Sequence, residues 1–343
     1  MKSTMKAVAL SRYLPIDNPE SLLDVELERP QPQGRDLLVA VKAVAVNPVD
    51  TKVRAPKDKI EPSPRVLGWD AAGVVEAVGA QVSGFKPGDV VFYAGDITRA
   101  GSNSQFQLVD ERIVGHAPAS LTFEQAAALP LTAITAWEVL FERLRVPRQR
   151  GSARQGSILI IGGAGGVGSM AIQLAAQLGG LQVIATASRP ESEEWVRALG
   201  AQQVINHFGD IPAQLKALDI VYVDYVLILN DTNHHFPSAV QVVAPQGTIA
   251  SIVETSGALD LAPLKAKSAG FVWESMFTRS TFQTADMAEQ GKLLDAVAQL
   301  IDQGVLKTTL SKVLSPINAA NLRSAHADLE GGRVIGKIVL KDF

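Results

Sequence analysis

The chain has 343 residues, 47% of them hydrophobic and 20% charged, with a formal net charge of −3. That composition suits an ordinary globular protein with room for two domains, and it gives no electrostatic reason to expect a nucleic-acid partner. There are 0 cysteines, which excludes disulfides, thiolate zinc sites and cysteine nucleophiles together.

The start, Met1 to Lys6, is followed by only a few apolar residues before Ser11. That is too short for the core of a secretion signal, and no stretch is long enough to span a bilayer, so a cytoplasmic protein without a membrane partner is expected. Up to about residue 125 the pattern is that of short strands: Lys6–Leu10, Asp36–Val46, Ala71–Gly79, Gly88–Tyr93 and Ser104–Asp110. Gly, Pro and Asp punctuate them, as in a barrel or sandwich. Thr122-Phe-Glu-Gln125 reads as a capping box opening a helix. Pro130 interrupts that helix, Thr132 to Leu144 resumes it, and the basic stretch Arg143 to Arg154 reads as a surface connection.

From Ile158 strands and helices alternate. Strands are expected at Ile158–Ile161, Gln182–Ala187, Gln203–Asn206, Val221–Leu229, Thr248–Val253 and Gly270–Met276. Helices at Val167–Leu178, Glu191–Leu199, Ile211–Leu218 and His235–Val243 cross between them, which predicts an α/β fold built on a doubly wound parallel sheet. The tail adds an amphipathic helix over Thr284–Ile301, a helix opened by Ser315-Pro316 and running to Glu330, and a last strand over Val334–Leu340.

The sharpest motif lies between the first of those strands and its helix. Gly163, Gly165 and Gly168, with Gly166 and Val167 between them, fit G-x-G-x-x-G. The first glycine permits the turn, the second lets a pyrophosphate approach the backbone, and the third packs helix on strand. The next strand ends in Ser188 and Arg189, where an NAD site carries a carboxylate. A hydroxyl and a guanidinium suit a 2′-phosphate, so the cofactor expected is NADPH. Ile252 and Val253 end the fifth strand, where such sheets bind ligands. His234-His235 is the one paired imidazole and reads as a solvated loop or helix start; no metal site is expected there.

Asn47-Pro-Val-Asp50, Gly68-Trp-Asp-Ala-Ala-Gly73, Lys86-Pro-Gly-Asp89, the glycine turn and the closing Gly336-Lys-Ile-Val-Leu340 together resemble the medium-chain dehydrogenase/reductase superfamily, in its quinone oxidoreductase-like branch. The resemblance covers essentially the whole chain. It implies a GroES-like β-rich catalytic domain over 1–128, a Rossmann dinucleotide-binding domain over 129–275 and a return to the catalytic domain over 276–343. It also implies a cofactor between the two domains and a homodimer formed through the sixth strand. Zinc-dependent members have a cysteine ligand where this chain has Asn47, and a histidine then glutamate where it has Trp69 and Asp70. An amide binds zinc weakly and an indole not at all, so no metal is expected.

Without a metal to polarise a carbonyl, a quinone or α,β-unsaturated carbonyl is the easier hydride acceptor. Asn47, Asp50 and Lys52 lie in the segment that faces the nicotinamide in the resembling family. Asn47 and Lys52 are the catalytic candidates, together with Tyr93, while Asp50 reads as a turn cap. Trp69, Tyr93, Trp273 and Phe277 are candidate walls for a flat acceptor, and Thr132 or Thr135 a candidate partner for the nicotinamide. The expected activity is an NADPH-dependent, zinc-independent quinone or enone reductase. A zinc-type alcohol dehydrogenase and a non-catalytic NADPH-binding sensor stay open beside it.

Overall fold

A computed structural model describes residues 3–148 and 156–343 of the chain, so the end of the basic stretch Arg143 to Arg154 falls outside the described residues. Two compact units result: Met1–Ile134 with Phe277–Phe343, and Thr135–Met276. No helix among the described residues is long and apolar enough to cross a membrane.

The strands of the first unit are β1 (Thr4–Tyr13), β2 (Leu23–Glu28), β3 (Asp36–Ala45), β4 (Lys57–Val66), β5 (Ala71–Val78), β6 (Val90–Tyr93), β7 (Phe106–Asp110) and β8 (Val114–His116). The second unit holds β9 (Ser157–Ile161), β10 (Gln182–Thr186), β11 (Gln203–Ile205), β12 (Val223–Ile228), β13 (Val243–Ser251) and β14 (Gly270–Trp273). Two more, β15 (Leu310–Leu314) and β16 (Lys337–Lys341), belong to the first unit again. The helices are α1 (Pro48–Arg54), α2 (Phe123–Ala127), α3 (Pro130–Trp137), α4 (Gly166–Gln177), α5 (Pro190–Ala198) and α6 (Ile211–Ala217). After them come α7 (Thr232–Val242), α8 (Leu264–Lys267), α9 (Thr278–Phe282), α10 (Glu289–Asp302) and α11 (Ala319–Glu330).

In the second unit the strand order is β11-β10-β9-β12-β13-β14, all parallel. A parallel sheet is covered on both faces, so its strands are apolar throughout rather than alternating. Ile158 to Ile161 and Val226 to Ile228 are fully buried for this reason. Phe236 of α7 and Leu215 of α6 complete one core cluster against Leu159, Ile161 and Ile249. The order reverses at β9, whose neighbours are β10 and β12. This is the doubly wound α/β sheet read from the sequence.

In the first unit β3 is central. It pairs with β5, β7 and β16, and the sheet runs β15-β16-β3-β5-β6-β8. A smaller sheet, β2-β1-β4, lies in the same unit. The C-terminal strand therefore seals a sheet begun near the N-terminus, with Val339 opposite Ala45.

Several elements escape the sequence pattern. β4 carries Pro62, Pro64 and five charged residues and is mostly exposed. Only its pairing to β1, with two register shifts, makes it a strand. The segment after Val46 is the helix α1, with Asn47 as N-cap and Pro48 at the first helical position. The expected single helix over Thr284–Ile301 is α10 alone, preceded by α9 and a turn. Ser315-Pro316 does not open α11; Asn318 caps it, its Oδ1 accepting the Asn321 N–H at 2.8 Å. Helix α7 begins at Thr232, earlier than expected, because Asp231 accepts the His234 N–H. His235 is buried rather than solvated, and burial lowers its pKa to about 4.

The capping box at α2 is formed as its sequence predicts. Thr122 N–H donates to Gln125 Oε1 at 3.1 Å, and Gln125 N–H to Thr122 Oγ1 at 3.4 Å. Thr122→Ala is expected to cost about 1 kcal/mol, read as a lower denaturant midpoint with an unchanged slope.

Candidate functional site

The glycine turn follows β9 directly and opens α4, with Gly165 as the N-cap in extended conformation. Its start is tied to β10: Gly162 N–H donates to Thr186 Oγ1 at 2.9 Å, and Gly163 N–H to the Thr186 carbonyl at 3.2 Å. The three glycines have different surroundings. A Cβ on Gly168 would stand 2.5 Å from the carbonyl oxygens of both Gly162 and Gly163. At Gly165 the nearest atom would be the Gly162 oxygen at 3.7 Å. Gly168 is thus demanded by the chain's own packing, whereas a side chain at Gly165 would meet only ordinary contact. Gly165, Gly166 and Val167 are half-exposed, while Gly163 and Gly168 are buried. The first N–H groups of α4 have no intrahelical acceptor, and they sit at the positive end of the helix. A half-exposed glycine turn at such a helix start suits a pyrophosphate.

Ser188 and Arg189 follow β10 and are both half-buried. Arg189 is the N-cap of α5; its N–H donates to Ser192 Oγ at 3.1 Å, and that hydroxyl donates back to the Arg189 carbonyl at 2.8 Å. No carboxylate stands at the end of β10, as the sequence indicated. Ile252 and Val253 follow β13 and are half-buried, with the Val253 carbonyl accepting from Thr232 Oγ1.

The first unit holds a second constellation, assembled from distant segments. Asn47 is 1% exposed, and its Nδ2 donates to Asp70 Oδ2 at 2.8 Å. Its backbone N–H donates to Asp50 Oδ2 at 2.6 Å. Into this group reaches Lys337 of β16, which is 3% exposed. Its ammonium donates to Asp70 Oδ2 at 2.8 Å, to the Val46 carbonyl at 3.0 Å and to Asn47 Oδ1. The other oxygen of Asp70 accepts the Leu131 N–H at 2.8 Å. Burial pushes both carboxyls up, Asp50 to about 7, while Lys337 and the surrounding N–H groups pull against it.

The remaining expected residues are placed differently. Lys52 is exposed on α1. Tyr93 lies in the core with no exposed surface, and its hydroxyl has no hydrogen-bond partner among the described residues; burial raises the phenol's pKa. It is enclosed rather than turned to a ligand surface. Thr132 is 2% exposed and its hydroxyl donates to the Leu129 carbonyl at 3.0 Å, a backbone cap within its own helix. Trp69 and Phe277 meet edge to face, centroids 6.3 Å apart, whereas Trp273 packs on Phe271 in the other unit. The sequence reading assigned no role to Lys337. Its signal was a lysine inside the apolar run Val334–Leu340.

The donor set can be tested against zinc. The positions in question hold an amide, an indole and a carboxylate, and an ammonium already occupies the amide and carboxylate oxygens. No group of three or more His, Cys, Asp or Glu able to hold a metal is found among the described residues. These residues do not fit a zinc site.

Comparison with known proteins gives the following. A family model described as an alcohol dehydrogenase GroES-like domain matches residues 33–134, and one described as a zinc-binding dehydrogenase matches 199–340. A zinc-type alcohol dehydrogenase-like protein of Staphylococcus epidermidis is 42% identical over 98% of this chain and 99% of its own. The 2-methylene-furan-3-one reductase of Solanum lycopersicum is 32% identical over 98% of this chain and 79% of its own. Among solved structures, a Rhizobium etli protein described as a zinc-dependent alcohol dehydrogenase is 50% identical, with a TM-score of 0.95 over 100% of this chain and 99% of that one. The Coxiella burnetii quinone oxidoreductase is 26% identical, with a TM-score of 0.81 over 99% of this chain and 100% of that one. A mycobacterial protein solved with NADPH is 26% identical, with a TM-score of 0.82 over the same shares.

Two outcomes follow from this geometry. Gly168→Ala forces a backbone shift and is expected to cost about 1–3 kcal/mol of stability. Gly165→Ala is expected to stay within about 0.5 kcal/mol of the parent yet weaken dinucleotide binding, so calorimetric titration beside thermal melting separates the two. The second outcome concerns pH. Burial pushes the Asp50 carboxyl up from its ordinary 3.8 to about 7. The folded chain therefore holds more protons between those values, and stability falls as pH rises through that window. Asp50→Asn keeps the acceptor for Asn47 and removes this slope. The stability of the parent relative to this variant, followed by denaturant titration, should decline between about pH 4 and about pH 7, by an amount on the order of a few kcal/mol.

Proposed function

This chain belongs to the medium-chain dehydrogenase/reductase superfamily, a family of NAD(P)H-dependent oxidoreductases, and we propose that within it the protein is an NADPH-dependent, zinc-independent reductase of quinones or α,β-unsaturated carbonyls. The observation that carries this reading is the filled oxygen nest at Asn47, Asp70 and Lys337, which leaves no ligand set for a Lewis-acid metal. Direct hydride addition to an isolated carbonyl leans on such a metal. A conjugated acceptor does not, since its negative charge spreads as it forms. The reductase from Solanum lycopersicum and the Coxiella burnetii quinone oxidoreductase support this acceptor class, and the neighbour solved with NADPH supports the cofactor.

NADPH when bound supplies a hydride to the conjugated carbon of the acceptor. The protein's own groups position and stabilise. Gly165, Gly166, Val167 and the N–H groups at the start of α4 hold the pyrophosphate. Ser188 and Arg189 hold the 2′-phosphate through charge-assisted hydrogen bonds. The exposed ammonium of Lys52 on α1 is the candidate to stabilise the developing enolate. Asn47 fixes the start of that helix, because its amide is already committed to Asp70 and Lys337. β14 lies at the end of its sheet with Trp273 47% exposed. Pairing of two such edges would cover them and form a homodimer.

The test is turnover of a simple quinone by chelator-treated protein, with NADPH and NADH compared. Activity that survives chelation and favours NADPH is expected. Activity lost on chelation and restored by zinc would overturn the reading, and tight NADPH binding without turnover would favour a sensor. Arg189→Ala should weaken NADPH by about 1.5–3 kcal/mol, ten- to a hundred-fold, and spare NADH. Equal losses for both cofactors would remove Arg189 from the 2′-phosphate site.

A further inference from the structure

We propose that Ser169 and Trp195 form a hydrogen-bonded relay that fixes the 2′-phosphate reader on α5 relative to the pyrophosphate turn on α4, and so sets the choice of NADPH over NADH. The inference deepens the NADPH reading above and rests on it. Every group in the relay belongs to the second unit.

The relay consists of two side-chain bonds. The Trp195 indole Nε1–H donates to Ser169 Oγ at 2.8 Å, and that hydroxyl donates to the Gly165 carbonyl at 2.8 Å. The Ser169 backbone N–H donates to the same carbonyl at 2.8 Å. Ser169 has no exposed surface, so its hydroxyl is satisfied from within the protein, as donor and acceptor at once. An indole nitrogen only donates, which sets the direction of the relay from α5 through α4 to the turn. A serine hydroxyl returned to the carbonyl four residues back is common inside helices. Here the acceptor is the N-cap carbonyl of the glycine turn, and a second helix supplies the other bond.

Each end of the relay stands behind a proposed phosphate contact. In a trans peptide the carbonyl and the next N–H point opposite ways. Ser169 draws the Gly165 carbonyl into α4, so the Gly166 N–H points off the start of that helix. At the other end Arg189 is the N-cap of α5, and Trp195 follows six positions later, about 9 Å along the axis. Ser192 and Val196 are buried and seat the same face of α5. The strand leading to Arg189 is also tied to the turn, because Thr186 accepts the Gly162 and Gly163 N–H groups. Arg189 is therefore referenced to the glycine turn from both sides. That spacing matters for NADPH, whose 2′-phosphate and pyrophosphate hang from one ribose and reach both sites only at a matching separation. NADH lacks the 2′-phosphate and needs the turn alone. Ser169 and Trp195 thus act as positioning residues.

The experiment titrates the full-length protein with NADPH and, separately, NADH by calorimetry, for the parent, Trp195→Phe, Ser169→Ala and the double variant. Trp195→Phe keeps an aromatic ring and removes the donor. It is expected to weaken NADPH about three- to tenfold and to leave NADH within about twofold. Ser169→Ala cuts both bonds and is expected to weaken both cofactors, NADPH the more. Adding Trp195→Phe to Ser169→Ala is expected to cost NADPH nothing further, because one bond is not lost twice. Losses that multiply in the double variant overturn the relay. So does a folded Trp195→Phe that keeps the parent's preference between the two cofactors. Melting without cofactor is followed on the same samples. A merely structural pair would lower it and weaken both cofactors alike, which also overturns the relay. Either single variant severs the bond between Trp195 and Ser169, so the preference is read from whichever folds. Failure of both to fold overturns a positioning role. A parent that binds NADH as tightly as NADPH overturns the NADPH reading and the relay with it. A parent that prefers NADPH, with variants that prefer it equally, overturns the relay alone.

Discussion

A lysine ammonium held at 3% exposure beside a fully buried carboxylate is the tightest constraint in this molecule. A buried charge of this kind is tolerated only when paired and hydrogen-bonded on every side. Meeting that condition recruits the end of β3, the cap of α1, the approach to β5 and the start of α3, through Val46, Asn47, Asp70 and Leu131. Lys337 and Asp70 lie 267 positions apart in sequence. The unit they join therefore closes only when its last strand is laid against β3. The same contacts fix Asn47, and with it the direction in which α1 leaves the sheet.

The second unit works from a different principle. Its strands carry almost no polar side chains at their centres, and its sheet is specified by apolar burial on both faces. At the turn after β9, Thr186 holds the backbone of the glycine loop that leads into α4. Buried carboxylates are ion-paired in both units, Asp70 with Lys337 in the first and Glu274 with Arg143 in the second.

How far these arrangements were legible in the sequence differs by kind. The parallel strands were plain because long apolar runs separated by helical spacing have few other meanings. The glycine turn was plain for the same reason, since its context of strand and helix was visible. β4 was not, because prolines and charges disguise a strand whose pairing is supplied by β1. The helix α1 is short, and its signal in Asn47 and Pro48 is local, with Asp50 accepting the Asn47 N–H at its start as a turn cap does. Tyr93 was misjudged by the polar residues that follow it in the chain; in space it faces the core.

The sequence by itself determined the fold class, the glycine turn between strand and helix and the absence of a carboxylate after β10, because each rests on residue types within one short segment. Only the tertiary structure decided which polar groups share a site. Asn47, Asp70 and Lys337 are unremarkable in their own segments, and the pairing of β16 with β3 makes them one cluster. Likewise Gly165 and Gly168 look alike in the motif. The nearby carbonyls of Gly162 and Gly163 distinguish the glycine that packs from the one that leaves room.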